Sequence, residues 1–309
     1  MARKSSSVIW IEYTAARFAL GVLGILPRRA AIRVSIWIML IVPKVLRSLE
    51  RTGLRNLEIA FPGKSVDDRR AILRGTFENL GRVLGELSQF GRFTRERLAE
   101  LIDFELDDES RSLYELNRTE GRGVLITTGH FGNWEMLVLG FAALYEPISY
   151  LARPLDNPRI DDMLNERRTL FGNTPINKKD SARLAMRILR EGGILGVLAD
   201  VNVQEREGVF IPFFGVPACT ATGPALLAIR SNALIFPTFC VWDKAANRYR
   251  FIHGKLITPA ASGDRAKDVL ATTAAYTAEI ERLIRQYPDQ WMWIHRRWKT
   301  RPPGGKELY

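Results

Sequence analysis

The chain has 309 residues, 46% of them hydrophobic, enough to fill the core of one large α/β domain or of two ordinary ones. Its 45 Lys and Arg against 34 Asp and Glu leave a formal charge of +11, which suits a polyanionic partner: nucleic acid, an anionic membrane or a phosphorylated substrate. No zinc-finger spacing or RNP-like run is present, which argues against nucleic acid. Cys219 and Cys240 form neither a disulfide framework nor a metal cluster, as suits a reducing compartment.

From Val8 to Val42 the chain is rich in Ile, Leu, Val, Trp and Ala, interrupted by Glu12, Arg17, Arg28, Arg29 and Arg33. Its longest uncharged runs, Phe18–Pro27 and Val34–Pro43, are shorter than the ~20 residues of a spanning helix. No small-x-small cleavage site follows, so a secretory signal is disfavoured. The pattern predicts retained interfacial helices over 1–45, with Arg and Trp at headgroup level, and a folded domain over 46–309. A tilted anchor and a pair of ordinary core helices are the alternatives.

Ser65-Val-Asp-Asp68 is a capping box, and Leu73, Phe77, Leu80, Leu84 and Leu87 follow at helical spacing. Near residue 121 the rhythm changes to short strands alternating with helices. Strands are expected at Val124–Thr127, Ile148–Leu151 and Ile194–Leu198, with a hairpin of Leu234–Trp242 and Tyr249–Ile257 about Ala246-Asn247. Helices are expected over Trp134–Leu144, after the Asn157-Pro158 cap, from Asp180, and along Val269, Tyr276, Ile280, Leu283 and Tyr287. This order predicts a mixed α/β fold with a mostly parallel sheet flanked by helices and an antiparallel edge.

His130, Arg153 and Asp200 each follow a predicted strand within a few residues, so all three are placed to line the crevice beyond the strand ends. His130, one of three histidines, stands where a strand runs into a Gly-rich turn, a position for a base at neutral pH. Glu135 lies in the first turn of the next helix, where it either orients the imidazole or simply meets the helix dipole. Asp200 is a second carboxylate for His130 or a turn former. No nucleophile elbow is present, and backbone N–H groups of Gly129–Gly132 are the expected oxyanion donors. Arg153, Arg206 and Arg55 are candidate oxyanion clamps. Val209, Phe210, Ile211, Phe213 and Phe214 read as core, with the wall of an acyl groove as the alternative.

His130-Phe-Gly-Asn-Trp-Glu135 resembles the His-x-x-x-x-Asp/Glu box of the lysophospholipid acyltransferase superfamily, in the form found in bacterial lipid A late acyltransferases. The likeness runs from about Arg51 to Gly304. It includes Arg55-Asn-Leu-Glu-Ile-Ala-Phe-Pro62, Arg153-Pro-Leu-Asp-Asn-Pro158, Asp200, Gly208-Val-Phe-Ile-Pro-Phe-Phe-Gly215 and Trp291-Met-Trp-Ile-His-Arg-Arg-Trp298. It implies an O-acyltransferase at the cytoplasmic face of a bacterial inner membrane, with residues 46–309 as the acyltransferase domain. It implies His130 and Glu135 as catalytic pair with Asp200 in support, and substrate binding by Arg153, Arg206, Asn133 and Arg55. The implied partners are a fatty acyl thioester of acyl carrier protein or CoA, a phosphorylated glycolipid acceptor and an anionic membrane, with no metal and no cofactor. The Glu-Gly-Thr-Arg form of glycerol-phosphate acyltransferases is absent from the 208–215 block, which argues against glycerol 3-phosphate as acceptor. Other glycolipids, phosphoinositide mannosides and aminolipids stay open.

Overall fold

The computed structural model describes residues 5–152, 154–176 and 181–309. Arg153 and Asp180, both singled out above, lie outside the described residues. Helices α1 (Ser6–Ile25) and α2 (Arg28–Val45) are broken from each other at Pro27, and α3 (Arg47–Ala60) follows directly. Ser65 caps α4 (Val66–Leu87) through the expected box: its hydroxyl accepts from the Asp68 N–H at 3.1 Å and the Asp68 carboxylate accepts from the Ser65 N–H at 3.3 Å. Then come α5 (Arg95–Leu101), β1 (Ile102–Phe104) and α6 (Asp108–Thr119).

The α/β part continues as β2 (Val124–Thr128), α7 (Trp134–Leu144), β3 (Ser149–Leu151), α8 (Pro158–Arg168), β4 (Thr174–Ile176), α9 (Ser181–Arg190) and β5 (Ile194–Leu198). A hairpin of β6 (Gly208–Phe213) and β7 (Val216–Ala221) precedes α10 (Gly223–Ser231), β8 (Leu234–Asp243), β9 (Arg248–His253) and α11 (Arg265–Gln286). The main sheet has the order β1-β9-β8-β2-β5-β3-β4 and is parallel at every pair except β8–β9. The fold is therefore the mixed, mostly parallel α/β arrangement expected. The sequence reading missed β1 and β4, which are three residues each, and the β6–β7 hairpin, whose Phe213 and Phe214 are buried in the core.

One hydrophobic cluster covers one face of the sheet with α9, α10, α11 and the C-terminal tryptophans, and a second covers the other with α5 and α7. Helix α2 belongs to this body. Gly81 and Gly85 on α4 lie so close to the α2 backbone that a Cβ there would stand 2.5 Å from Ile36 Cα and 2.7 Å from Ile32 Cα. Arg28 at the start of α2 also forks onto the fully buried Glu86 at 2.9 and 2.5 Å. Helix α1 instead presents Ile11, Phe18 and Ile25, each more than two thirds exposed. At 20 residues it is long and apolar enough to cross a membrane.

Candidate active site

Register brings the site together. Thr128 at the end of β2 is paired with Leu198 at the end of β5, so His130 and Asp200 stand two residues beyond a matched pair in parallel strands. Registered residues in such a pair face the same way. The His130 Nδ1–H donates to Asp200 Oδ1 at 3.0 Å, and the His130 backbone N–H donates to Asp200 Oδ2 at 2.7 Å. The Trp291 indole N–H adds a third donor, 2.9 Å from Oδ2. A buried carboxylate only accepts, so the ring proton is fixed on Nδ1 and Nε2 is left with its lone pair. Glycine is required at position 129, because a Cβ there would lie 2.8 Å from the Asp200 carboxyl carbon.

Burial opposes charge on both groups. It would lower the His130 pKa, but the Asp200 charge and hydrogen bond outweigh it, and His130 is held above the ordinary histidine value. Burial likewise works against Asp200, but His130, His295 and the Trp291 hydrogen bond hold its carboxyl well below the usual carboxylate range. The pair thus resembles the base-and-orienter arrangement of a proton-transfer site.

The turn carrying His130 is pinned by the chain's last segment. Met292 N–H donates to the His130 carbonyl at 2.9 Å, and Gly132 N–H donates to the Gln290 carbonyl at 3.0 Å. Asn79 reaches across from α4 to the Gly132 carbonyl at 2.7 Å. Gly132 itself has φ +62, and a Cβ there would run into the Cys240 carbonyl oxygen. The expected oxyanion role for this turn is corrected at two positions: the N–H groups of His130 and Gly132 are already engaged within the protein.

Glu135 is placed differently from expectation. Its carboxylate receives both prongs of Arg168 at 2.7 and 2.5 Å, and the Trp134 indole N–H at 3.1 Å. The carboxylate hydrogen-bonded to the His130 ring is Asp200, so Glu135 acts on His130 only through its charge. The reason is helical geometry: at the first turn of α7 its side chain meets Arg168 at the end of α8, while the β2–β5 register hands Asp200 to the imidazole. Burial would discharge the Arg168 guanidinium, but the hydrogen bonds and charge of Glu135 prevail and raise its pKa. Arg168 was not foreseen; a lone arginine at a helix end carries no signal of its partner.

Glu135 and Arg168 form the polar part of a narrow apolar cleft of about 60 Å³ between β2, β3, β5, α7 and α8. Ile126, Leu137, Val138, Tyr150, Leu151 and Leu198 line it, and Trp134 on its wall packs edge-on against the His130 ring at 5.2 Å. Thr128, with a buried hydroxyl lacking a partner among the described residues, faces the same cleft.

The other candidates scatter. Asn133 is fully buried: its amide oxygen caps α7 by accepting from Met136 N–H at 3.0 Å, and its amide nitrogen donates to the Tyr249 hydroxyl at 3.1 Å. Those contacts hold Asn133 within the turn. Arg206 projects into solvent, with Glu207 3.9 Å away. Arg55, on α3, donates to the Leu308 carbonyl at 2.8 Å and to Glu58 at 2.6 Å. His295 donates from Nδ1 to the Met292 carbonyl at 2.8 Å, and its Nε2 is buried without a partner among the described residues. Val209–Phe214 is core rather than groove at Ile211, Phe213 and Phe214.

A mostly parallel α/β sheet that presents at its strand ends an imidazole oriented by a buried carboxylate, beside an apolar cleft, is an arrangement that suits acyl transfer. The chain belongs to the bacterial lipid A biosynthesis acyltransferase family, whose model matches residues 3–300, and it is an acyltransferase. It is similar to the lipid A biosynthesis lauroyltransferase of Escherichia coli K12, at 29% identity over 82% of this chain and 80% of that one. The lipid A biosynthesis palmitoleoyltransferase of the same strain is also 29% identical, over 85% and 83%. The phosphatidylinositol mannoside acyltransferase of Mycolicibacterium smegmatis is 25% identical over 79% and 78%.

Proposed function

We propose that this enzyme moves a fatty acyl chain from a thioester of acyl carrier protein or CoA onto a hydroxyl of a lipid A precursor, at the cytoplasmic face of the inner membrane. The observation that carries the chemistry is the Asp200–His130 pair, which leaves Nε2 of His130 as the accepting atom. In this reading Nε2 takes the proton of the acceptor hydroxyl as its oxygen attacks the thioester carbonyl. The C–O bond forms, the tetrahedral intermediate collapses with loss of the C–S bond, and the departing thiolate recovers the proton from Nε2. Transfer is direct, in a ternary complex, without an acyl-enzyme.

The cleft walled by Trp134, Tyr150 and Leu198 is the proposed seat of the acyl chain. At about 60 Å³ it has room for only a few waters, so a fatty chain enters by displacing wall side chains. Glu135, which the sequence marks as catalytic, contributes charge near His130 and with Arg168 forms the polar rim of that cleft. Arg206 and Arg153 are proposed contacts to the phosphorylated acceptor. The choice of lipid A rather than another glycolipid rests on the family and on relatives named for lipid A.

The deciding experiment is mass spectrometry of a lipid A precursor incubated with detergent-solubilised protein and mixed acyl carrier protein and CoA thioesters. One added acyl group, absent with His130→Ala, is the expected result and identifies donor and chain length together. Intact thioester and unchanged lipid, with folded protein, would remove lipid A as the acceptor.

A further inference from the structure

Helix α3 carries Ser48, Arg51, Thr52 and Arg55 at positions i, i+3, i+4 and i+7, which is one face of a helix. That face forms one wall of a hollow of about 370 Å³, and Arg296 and the terminal Leu308-Tyr309 form the other. Three guanidiniums and three hydroxyls, of Ser48, Thr52 and Tyr309, therefore line one concavity with no Asp or Glu among its lining residues; the Tyr309 hydroxyl is taken up by Asn56 and the Trp298 N–H, which leaves those of Ser48 and Thr52. Arg55 is fixed there by the Leu308 carbonyl and by Glu58, outside the hollow. Arg51 has no hydrogen-bond or ion-pair partner among the described residues, and Arg296 lies over the Tyr309 ring at 5.7 Å with no side-chain hydrogen bond. Arg55 is offset by Glu58, so the charges left uncompensated in the hollow are Arg51 and, opposite it, Arg296, an arrangement that an anion relieves.

The hollow is joined to the catalytic turn and to the apolar surface. Asn56, next to Arg55, donates to the carbonyls of Trp293 and His295, in the segment whose Met292 holds the His130 carbonyl. At its other end, Val45 and Leu46, 72% and 51% exposed, immediately precede α3, so the hollow opens beside exposed apolar side chains continuous with α2.

We propose that this hollow binds a phosphate monoester on the headgroup of the lipid acceptor, through Arg51, Arg55 and Arg296 with Ser48 and Thr52 donating. The identity of that acceptor rests on the function proposed above. A phosphate offers several acceptor oxygens to donors converging from two walls, which matches this concavity better than a carboxylate does. A concave pocket of this size also takes a small headgroup rather than the convex face of an acidic carrier protein.

The test compares a phosphorylated glucosamine-disaccharide lipid acceptor with the same lipid after phosphatase treatment. In the Arg51→Gln/Arg296→Gln double variant the preference for the phosphorylated lipid, read as the ratio of KM values, falls at least tenfold. Arg190→Gln removes the same kind of exposed charge from α9 and leaves that ratio as in the parent protein. An unchanged ratio, an equal loss with both lipids, or a rise confined to the KM for the thioester donor overturns the proposal. A second measurement needs no turnover: the ³¹P resonance of the phosphorylated lipid in detergent micelles broadens with the parent protein and recovers with the double variant. Should the parent protein acylate neither lipid, the acceptor assignment above fails, and the ³¹P measurement alone decides the phosphate site. Absence of broadening then overturns it.

Discussion

At the scale of single residues the site is a contest over one imidazole. Burial favours neutral His130, and the Asp200 carboxylate favours the charged form and prevails. A base must be neutral to work, so kcat/KM is expected to rise with pH through an apparent pKa above the ordinary histidine value of about 6.5. Replacing Asp200 by Asn removes the main influence that raises the pKa and leaves burial, which lowers it, opposed only by the weaker charge of Glu135. The acid limb of the profile then moves to lower pH while the plateau falls, by ~10²-fold or more, because the tautomer is no longer enforced. A plateau loss without movement of the limb would mean that Asp200 holds the fold and not the proton. His130→Gln is expected to lower kcat by ~10²–10⁴-fold; it also takes the ring donor from the fully buried Asp200, so a stability loss is expected alongside, and kcat is compared at a temperature where both proteins are folded. The placement of His130 was legible in the sequence because a histidine at a strand end is a local feature. Its partner was only half legible: Asp200 is seventy positions away, and what selects it over Glu135 is the Thr128–Leu198 register, which no local pattern states.

At the scale of elements, α7 and α8 are tied by one buried ion pair whose partners lie on different helices. Arg168 is expected to be worth more as a partner than as a charge. Arg168→Met leaves the Glu135 carboxylate desolvated and unpaired, at a cost of ~3–5 kcal/mol of stability. Glu135→Leu in the same chain removes the orphaned charge, and most of that loss should return in urea unfolding. If the double variant is no more stable than Arg168→Met, the pair is not what joins the two helices. Helices with strong periodicity, such as Trp134–Leu144, stood where the sequence put them. The β6–β7 hairpin did not announce itself, because Pro212 and Pro217 pair opposite each other in it and prolines argue against a strand in any local reading. The capping role of Asn133 was hidden for a related reason: in a motif string a helix cap and a ligand contact look alike.

At the scale of the whole molecule, the remaining question is what would hold the enzyme to the lipid acceptor proposed for it. Two forces are available. A net charge of +11 would draw the protein to an anionic surface from a distance, but such attraction is screened within about 10 Å at 0.1 M salt. The apolar faces of α1 and α2 are independent of salt: Phe18 is 73% exposed, Ile25 76% and Trp37 66%. Moving each such side chain from water into the interface is worth roughly 1.5–3 kcal/mol when fully buried. Helix α1 also rests on α8, with Arg159 stacked on the Trp10 ring at 3.7 Å and Asn157 donating to the Ile9 carbonyl at 2.8 Å. It therefore lies beside the helix whose far end carries Arg168, and not on a free tether. If the apolar faces dominate, vesicle binding persists in high salt and collapses in Phe18→Glu/Ile25→Glu/Trp37→Glu, whose partition coefficient should fall more than ~100-fold. Turnover of an acceptor embedded in vesicles falls with it, whereas turnover of the same acceptor dispersed in detergent is kept. If charge dominates, high salt alone releases the parent protein and the triple variant binds nearly as well at low salt. A loss of turnover in detergent as well would mean that the exposed faces shape the site itself, through α8, rather than deliver the enzyme to its substrate.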